Sequence, residues 1–158
     1  MSNPIKLEAS ETVTNSTCLI GLERIERLDI LPQVFSTIAI PTAVAAEVEI
    51  EADWLIVRTV QNFAVVAALK NQVDSGEAEA IALAMELGDV FIVLDDRKAR
   101  LLALQLNLQV IGTVGMLLRA KRFGIITEIK PLLIALNQVD FHISEVLVQK
   151  ALQIAGEL

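Results

Sequence analysis

Two pairs of carboxylates, Glu77 with Glu79 and Asp95 with Asp96, hold most of the chemical potential of this sequence, and Glu47 stands apart on another segment. A set of oxygen ligands with neither histidine nor thiolate beside it suits a hard cation. Mg²⁺ or Mn²⁺ keeps several waters and binds a few carboxylates together with substrate phosphate oxygens. Phosphodiester hydrolysis is the matching reaction: the cation would polarise the phosphate, generate hydroxide and stabilise the departing oxygen. Carboxylates gathered in one place repel one another unless a cation lies among them, so such a cluster is costly without one. Arg97, Lys98 and Arg100 directly follow the Asp95/Asp96 pair. Two roles are open to them, holding a phosphate backbone or pairing with Asp95, Glu77 or Glu79.

Residues 74–100 frame these acids. Asp74 or Ser75 can accept from the free N–H groups of a first helical turn, and Glu77 follows Asp74 at capping-box spacing. Ala78, Ile81, Ala82, Met85 and Leu87 recur at near-helical spacing, and Gly88 supplies the residue at which helices commonly end. The apolar run 90–94, VFIVL, then reads as a strand covered on both faces, as in a parallel sheet, and Asp95 and Asp96 terminate it. Singly, Asp96 could serve only as the cap of the next helix, and Glu77 only as a favourable charge at the start of its own.

Earlier in the chain, 12–17 reads as a first strand ending on Asn15, Ser16 and Thr17, and 37–40 as a second closed by Pro41. Pro41 and Thr42 open a helix that carries Val44, Glu47, Val48 and Glu51. An edge segment over 54–60 and a helix over 63–69 follow. Beyond the central stretch the pattern predicts a helix over 99–106, a short strand over 109–111, and a helical stripe of Val114, Leu117, Leu118 and Phe123 ending at Gly124. A helix after Thr127 is interrupted early by Pro131, and Ser144 caps a last helix over 145–155. Right-handed crossovers would make the strands parallel, giving a three-layer α/β/α domain with a central, mainly parallel sheet. Asn15, Ser16, Asp95 and Asp96 would then face one cleft at the carboxyl ends of the strands, and the helices carrying Glu47 and Glu77 would begin at that edge.

The 158 residues fit one domain over 1–158, with a core that needs no disulfide or metal staple. The composition is 54% hydrophobic, yet no apolar run is long enough for a bilayer, so no membrane contact is expected. MSNPIKLEAS lacks the charged and apolar regions of a secretory signal and Cys18 is the only cysteine, which points to a cytoplasmic, reducing setting. A formal net charge of −7 excludes a broad basic nucleic-acid surface and leaves local contact or contact through a metal. His142 has no second histidine or cysteine nearby, against a metal or catalytic role, and the few aromatics argue against stacking-driven binding of single strands. Neither GxxxxGK[ST] nor GxGxxG is present, and IGTVG at 111–115 has only the spacing of a turn. A phosphorylated receiver lacks its acceptor aspartate and downstream lysine here, and a Ser-His-Asp hydrolase lacks its nucleophile elbow.

The order of VTNSTCLI at 13–20, IPTAVAAEV at 40–48, DSGEAEAIALA at 74–84, VLDDRKAR at 93–100 and VIGTVGMLLRAKRFGII at 110–126 resembles the PIN-domain-like proteins. Within them it is most similar to an uncharacterised prokaryotic branch of predicted nucleic-acid-binding proteins related to the VapC toxins. The resemblance covers most of the chain. It implies an α/β/α nuclease whose acids bind Mg²⁺ or Mn²⁺ and which cuts single-stranded RNA, often as a toxin held by a small antitoxin. By motif, Asn15 takes the place of the first-strand aspartate, with Ser16 its polar neighbour. Glu47 matches the helical second acid, Glu77 the third with Glu79 as fallback, and Asp96, with Asp95 beside it, the acid after the central strand. Arg97 and Arg100 would steer phosphate. An amide at Asn15 can ligate a cation but brings no charge, so the resemblance implies weakened cation affinity. Two functions stay open: a toxin-type metal-dependent endoribonuclease, and a weakened PIN-like module that binds nucleic acid or protein with little cleavage. The apolar Ala43, Val44, Val48, Leu117, Leu118 and C-terminal helix suggest a surface for a homodimer or an antitoxin helix.

Overall fold

Short runs of β-branched and apolar residues pair into one sheet, β1 (Leu7–Thr14), β2 (Phe35–Pro41), β3 (Leu55–Arg58), β4 (Phe91–Val93) and β5 (Gln109–Ile111). The computed structural model describes residues 7–158, so residues 1–6 of the stretch read for a secretory signal lie outside the described residues. Every neighbouring pair in the order β3-β2-β1-β4-β5 is parallel. Parallel neighbours need crossovers, and these put helices on both faces. Side-chain alternation along the strands separates two cores. Ile38, Ile40, Val93 and Ile111 meet α1 (Ser16–Arg24), α2 (Ile30–Val34), α7 (Thr113–Arg122), α8 (Lys130–Gln138) and α9 (Glu145–Ala155). Val13, Ala39, Ile92 and Leu94 meet α4 (Phe63–Leu69), α5 (Ser75–Leu87) and α6 (Arg97–Gln105) on the other face. The three-layer α/β/α arrangement expected from the sequence is therefore the one observed.

The order of the strands decides where a ligand goes. From the central β1 the chain moves outward through β2 and β3, then returns to β4 and β5 on the opposite side. The direction of winding reverses between β1 and β4, and the crevice outside their carboxyl ends is where open α/β sheets bind ligands. Asn15 N donates to Val93 O at 3.2 Å, which keeps the chain just beyond β1 laced to β4.

Several local expectations are corrected. The first strand ends at Thr14, because Asn15, Ser16 and Thr17 start α1 rather than finish β1: the Asn15 side chain caps it. The helix from Thr42 stops at Glu47, short of Val48 and Glu51, where Val48 is already extended. This short helix, α3 (Thr42–Glu47), contributes Val44 to the core. Between α1 and β2 the apolar residues leading up to and past Pro32 form α2, which buries Ile30, Leu31 and Val34. Pro32 falls in its first turn, where the missing N–H is not needed. Pro131 likewise opens α8 instead of interrupting it. The apolar surface proposed for a partner also shrinks, since Val44, Val48 and Leu117 are core residues, while α9 leaves Val146, Leu147 and Ile154 exposed. Lys121, in the last turn of α7, pairs with Glu157 at 2.8 Å. No helix among the described residues is long and apolar enough to cross a membrane.

Candidate functional site

Four βα junctions and helix starts converge on the crevice. At the first, Asn15 is buried, 3% exposed, and its Oδ1 accepts from Cys18 N at 3.1 Å. That bond satisfies one of the free donors of the α1 start. Ser16 follows, and its hydroxyl donates to Glu47, the last residue of α3. The Glu47 carboxylate lies over Gly76 in the first turn of α5, in space that a Cβ at Gly76 would claim. Burial and then the Asp74 charge push the Glu47 carboxyl upward, with the Ser16 hydrogen bond working against them.

The start of α5 carries the capping box read from the sequence. Glu77 N donates to Asp74 Oδ1 at 2.8 Å, and Asp74 N donates to Glu77 Oε1 at 3.4 Å. Burial and the adjacent Asp74 charge push the Glu77 carboxyl up to about 7, with Asp96 and Glu47 adding to the rise and the Asp74 N–H opposing it. Glu77 thus senses three other carboxylates, from α3, from its own cap and from the end of β4. Glu79 points elsewhere: its Oε1 accepts from Ala43 N at 3.0 Å and anchors the start of α3.

The acid pair beyond β4 divides. Asp96 is exposed and caps α6, its Oδ2 accepting from Ala99 N at 3.0 Å. Asp95 turns toward β5 and α7, where Thr113 N donates to Oδ1 at 2.8 Å and Thr113 Oγ1 to Oδ2 at 2.7 Å. Burial raises the Asp95 carboxyl, and both Thr113 bonds and the Arg100 charge offset it. Arg100 Nη1 donates to Leu94 O at 3.0 Å and lies against Gly112, so its guanidinium faces inward. Arg97 and Lys98 are exposed on the first turn of α6. Cys18, beneath the site, is buried, and burial with the Asp95 charge pushes its thiol up to about 12, out of reach of nucleophilic use.

The chain matches the PIN-domain family model DUF3368, a family of unknown function, over residues 11–157. It belongs to the PIN-domain family. No curated protein and no solved structure matches it. The PIN fold is consistent with a nucleic-acid-binding module.

In this PIN domain the donor chemistry at the crevice suits a hard cation, but the arrangement does not close a ligand shell. Among the described residues no three acidic, histidine or cysteine groups are placed to hold one ion. Glu47, Asp74, Glu77 and Asp96 share a field, whereas Glu79, Asp95 and Arg100 are directed to other partners. Sequence reasoning passed over Thr113, which holds both oxygens of Asp95. It also passed over Gly76, whose missing side chain admits Glu47. The available signal was the Gly-Thr pair just past β5, a polar helix start at the same sheet edge as the acids.

Proposed function

We propose that this PIN domain is a nucleic-acid-binding module in which hydrolysis is weakened, with single-stranded RNA as its ligand. The observation that carries this is Asn15. At the point where the winding reverses stands an uncharged side chain whose oxygen already accepts from Cys18 N. A divalent cation there meets fewer charges and fewer free oxygens than an active phosphodiesterase needs. Glu47, Glu77 and Asp96 would hold Mg²⁺ or Mn²⁺ loosely, enough to bridge the acidic rim to a phosphate. Arg97 and Lys98 would add local phosphate contacts, the only kind that a chain of net charge −7 invites.

A second reading, a metal-dependent endoribonuclease of the toxin–antitoxin type, is favoured by one observation, the elevated Glu77. Its carboxyl is raised by burial and then by three neighbouring carboxylates, and a divalent cation would relieve the repulsive part. Asp96, Glu77 and Glu47 would then surround the metal. An antitoxin helix or a second copy would cover Val146, Leu147 and Ile154 of α9.

The test is a mixed pool of structured and single-stranded RNA incubated with the protein in Mg²⁺, Mn²⁺ or EDTA, beside Asp96→Asn and Asn15→Asp. The binding module retains single-stranded RNA in the metal tubes with little cleavage, and Asn15→Asp gains cleavage. Repeated metal-dependent turnover by the wild type, lost in Asp96→Asn, would replace it with the ribonuclease. RNA that is neither retained nor cut would remove both.

A further inference from the structure

A cavity of about 460 Å³ opens between α1 and the α8–α9 loop, and Asp95 and Asp96 form one of its walls. Its size falls within the roughly 300–1,000 Å³ range of small-ligand pockets. We infer that this cavity is a subsite for one unstacked nucleobase of a single-stranded RNA whose phosphate lies at the acidic rim. This rests on the nucleic-acid-binding reading above and adds to it where and how one base is held.

The cavity walls are of two kinds. Ile20 and Phe141 give it apolar lining, while Thr17, Arg24, Asp140 and His142 bring both donors and acceptors. A nucleobase has the same division, apolar faces and an edge of alternating donors and acceptors. A phosphate inside the cavity, with no cation to bridge it, does not fit, because Asp95, Asp96 and Asp140 border the space and would repel it. A base within a duplex does not fit either, since it must leave its stack to enter a pocket.

The aromatic wall is built in. Gly21 stands inside α1, where glycine is unfavourable. A Cβ there would come within 2.6 Å of Phe141 Cδ2, so the absent side chain is what admits the ring. The loop that carries the ring is stitched down on both sides. Arg24 Nη1 donates to Val139 O at 3.2 Å, Phe141 N to Leu136 O at 3.0 Å and Ile143 N to Asn137 Oδ1 at 2.8 Å. Asp140 turns the chain in the left-handed region at φ +64°. A wall fixed before binding loses little freedom when the base arrives. With 5 Phe, 1 Trp and no Tyr in the chain, a long stacking track is absent, and one base gripped beside the rim is what the aromatic content allows.

The experiment is fluorescence anisotropy of short labelled single-stranded RNAs in Mg²⁺, intact or with one abasic position moved along the strand. Wild type, Phe141→Leu and Phe141→Tyr are compared, with circular dichroism to check the fold. In the wild type, one abasic position weakens binding by at least about five-fold, the scale of a single lost stacking contact. Phe141→Leu loses a similar factor on intact RNA, and the critical abasic position then costs it nothing further. Phe141→Tyr keeps wild-type binding. Equal losses at every abasic position, or a folded Phe141→Leu that binds as the wild type does, would overturn the subsite alone. Failure of the wild-type protein to bind any of these RNAs would overturn the subsite together with the reading beneath it. The abasic scan needs no variant, so a Phe141→Leu chain that fails to fold does not remove the test.

Discussion

Glu77→Gln isolates the charge at the acidic rim, because glutamine keeps the reach to Asp74 N that completes the capping box. In the folded protein Glu77 holds its proton to about pH 7, whereas the unfolded chain releases it near 4.5. Folding therefore takes up a proton between these values. The contribution of Glu77 to stability is full below about pH 4.5, falls as pH rises toward 7, and is flat above. At about 1.4 kcal/mol per pH unit the full span corresponds to roughly 3 kcal/mol. Glu77 is only half-buried, and solvent screening reduces that to about 1.5 kcal/mol. Its charge also gains about 0.5 kcal/mol from the positive end of α5, which the amide forfeits. Glu77→Gln should thus be about 1 kcal/mol more stable than the wild type at pH 8, a rise of roughly 2–4 °C in melting temperature for a domain of this size. The difference should vanish near pH 4.5. Urea unfolding followed by circular dichroism at several pH values reads it directly, and Mn²⁺ at pH 8 should stabilise the wild type more than the variant. A variant equally stable or weaker at pH 8, or a difference that ignores pH, would refute the claim that burial and its carboxylate neighbours raise Glu77.

Other substitutions probe the parts around it. Thr113→Val removes the hydroxyl from Asp95 and leaves the backbone bond, so unfolding free energy should drop by about 1–2 kcal/mol, read by denaturant titration. Gly76→Ala puts a methyl where the Glu47 carboxylate lies; stability should change by under about 1 kcal/mol, because alanine favours the helix, while calorimetry should show weaker Mn²⁺ binding. Asn15→Asp can still cap α1 but buries a charge near Asp95 and Cys18, so the metal-free protein should lose about 1–3 kcal/mol, with Mn²⁺ restoring it in thermal melts.

Most elements could be read from local signals, because those signals act within a few residues. The Asp74/Glu77 capping box starts α5, and Gly88, at φ +86°, ends it at a backbone angle that side chains disfavour. Residues 63–69 and the Ser144 cap behave the same way. Where a local signal served two outcomes the reading failed, as at Asn15, Ser16 and Thr17, polar residues that can end a strand or begin a helix. The acids at strand ends and helix starts were legible too, since a parallel sheet sends them all to one edge. Which of them face each other was not. Asp95 turns away to Thr113, Glu79 to Ala43, and Glu47 settles over Gly76. Phe141 reaches the crevice only because Gly21, far back in the chain, leaves room for it. Each of these depends on two distant segments packing at a particular angle and register. The sequence by itself determined the elements and the edge where the acids gather; only tertiary packing decided which side chains meet, because no local window contains both partners.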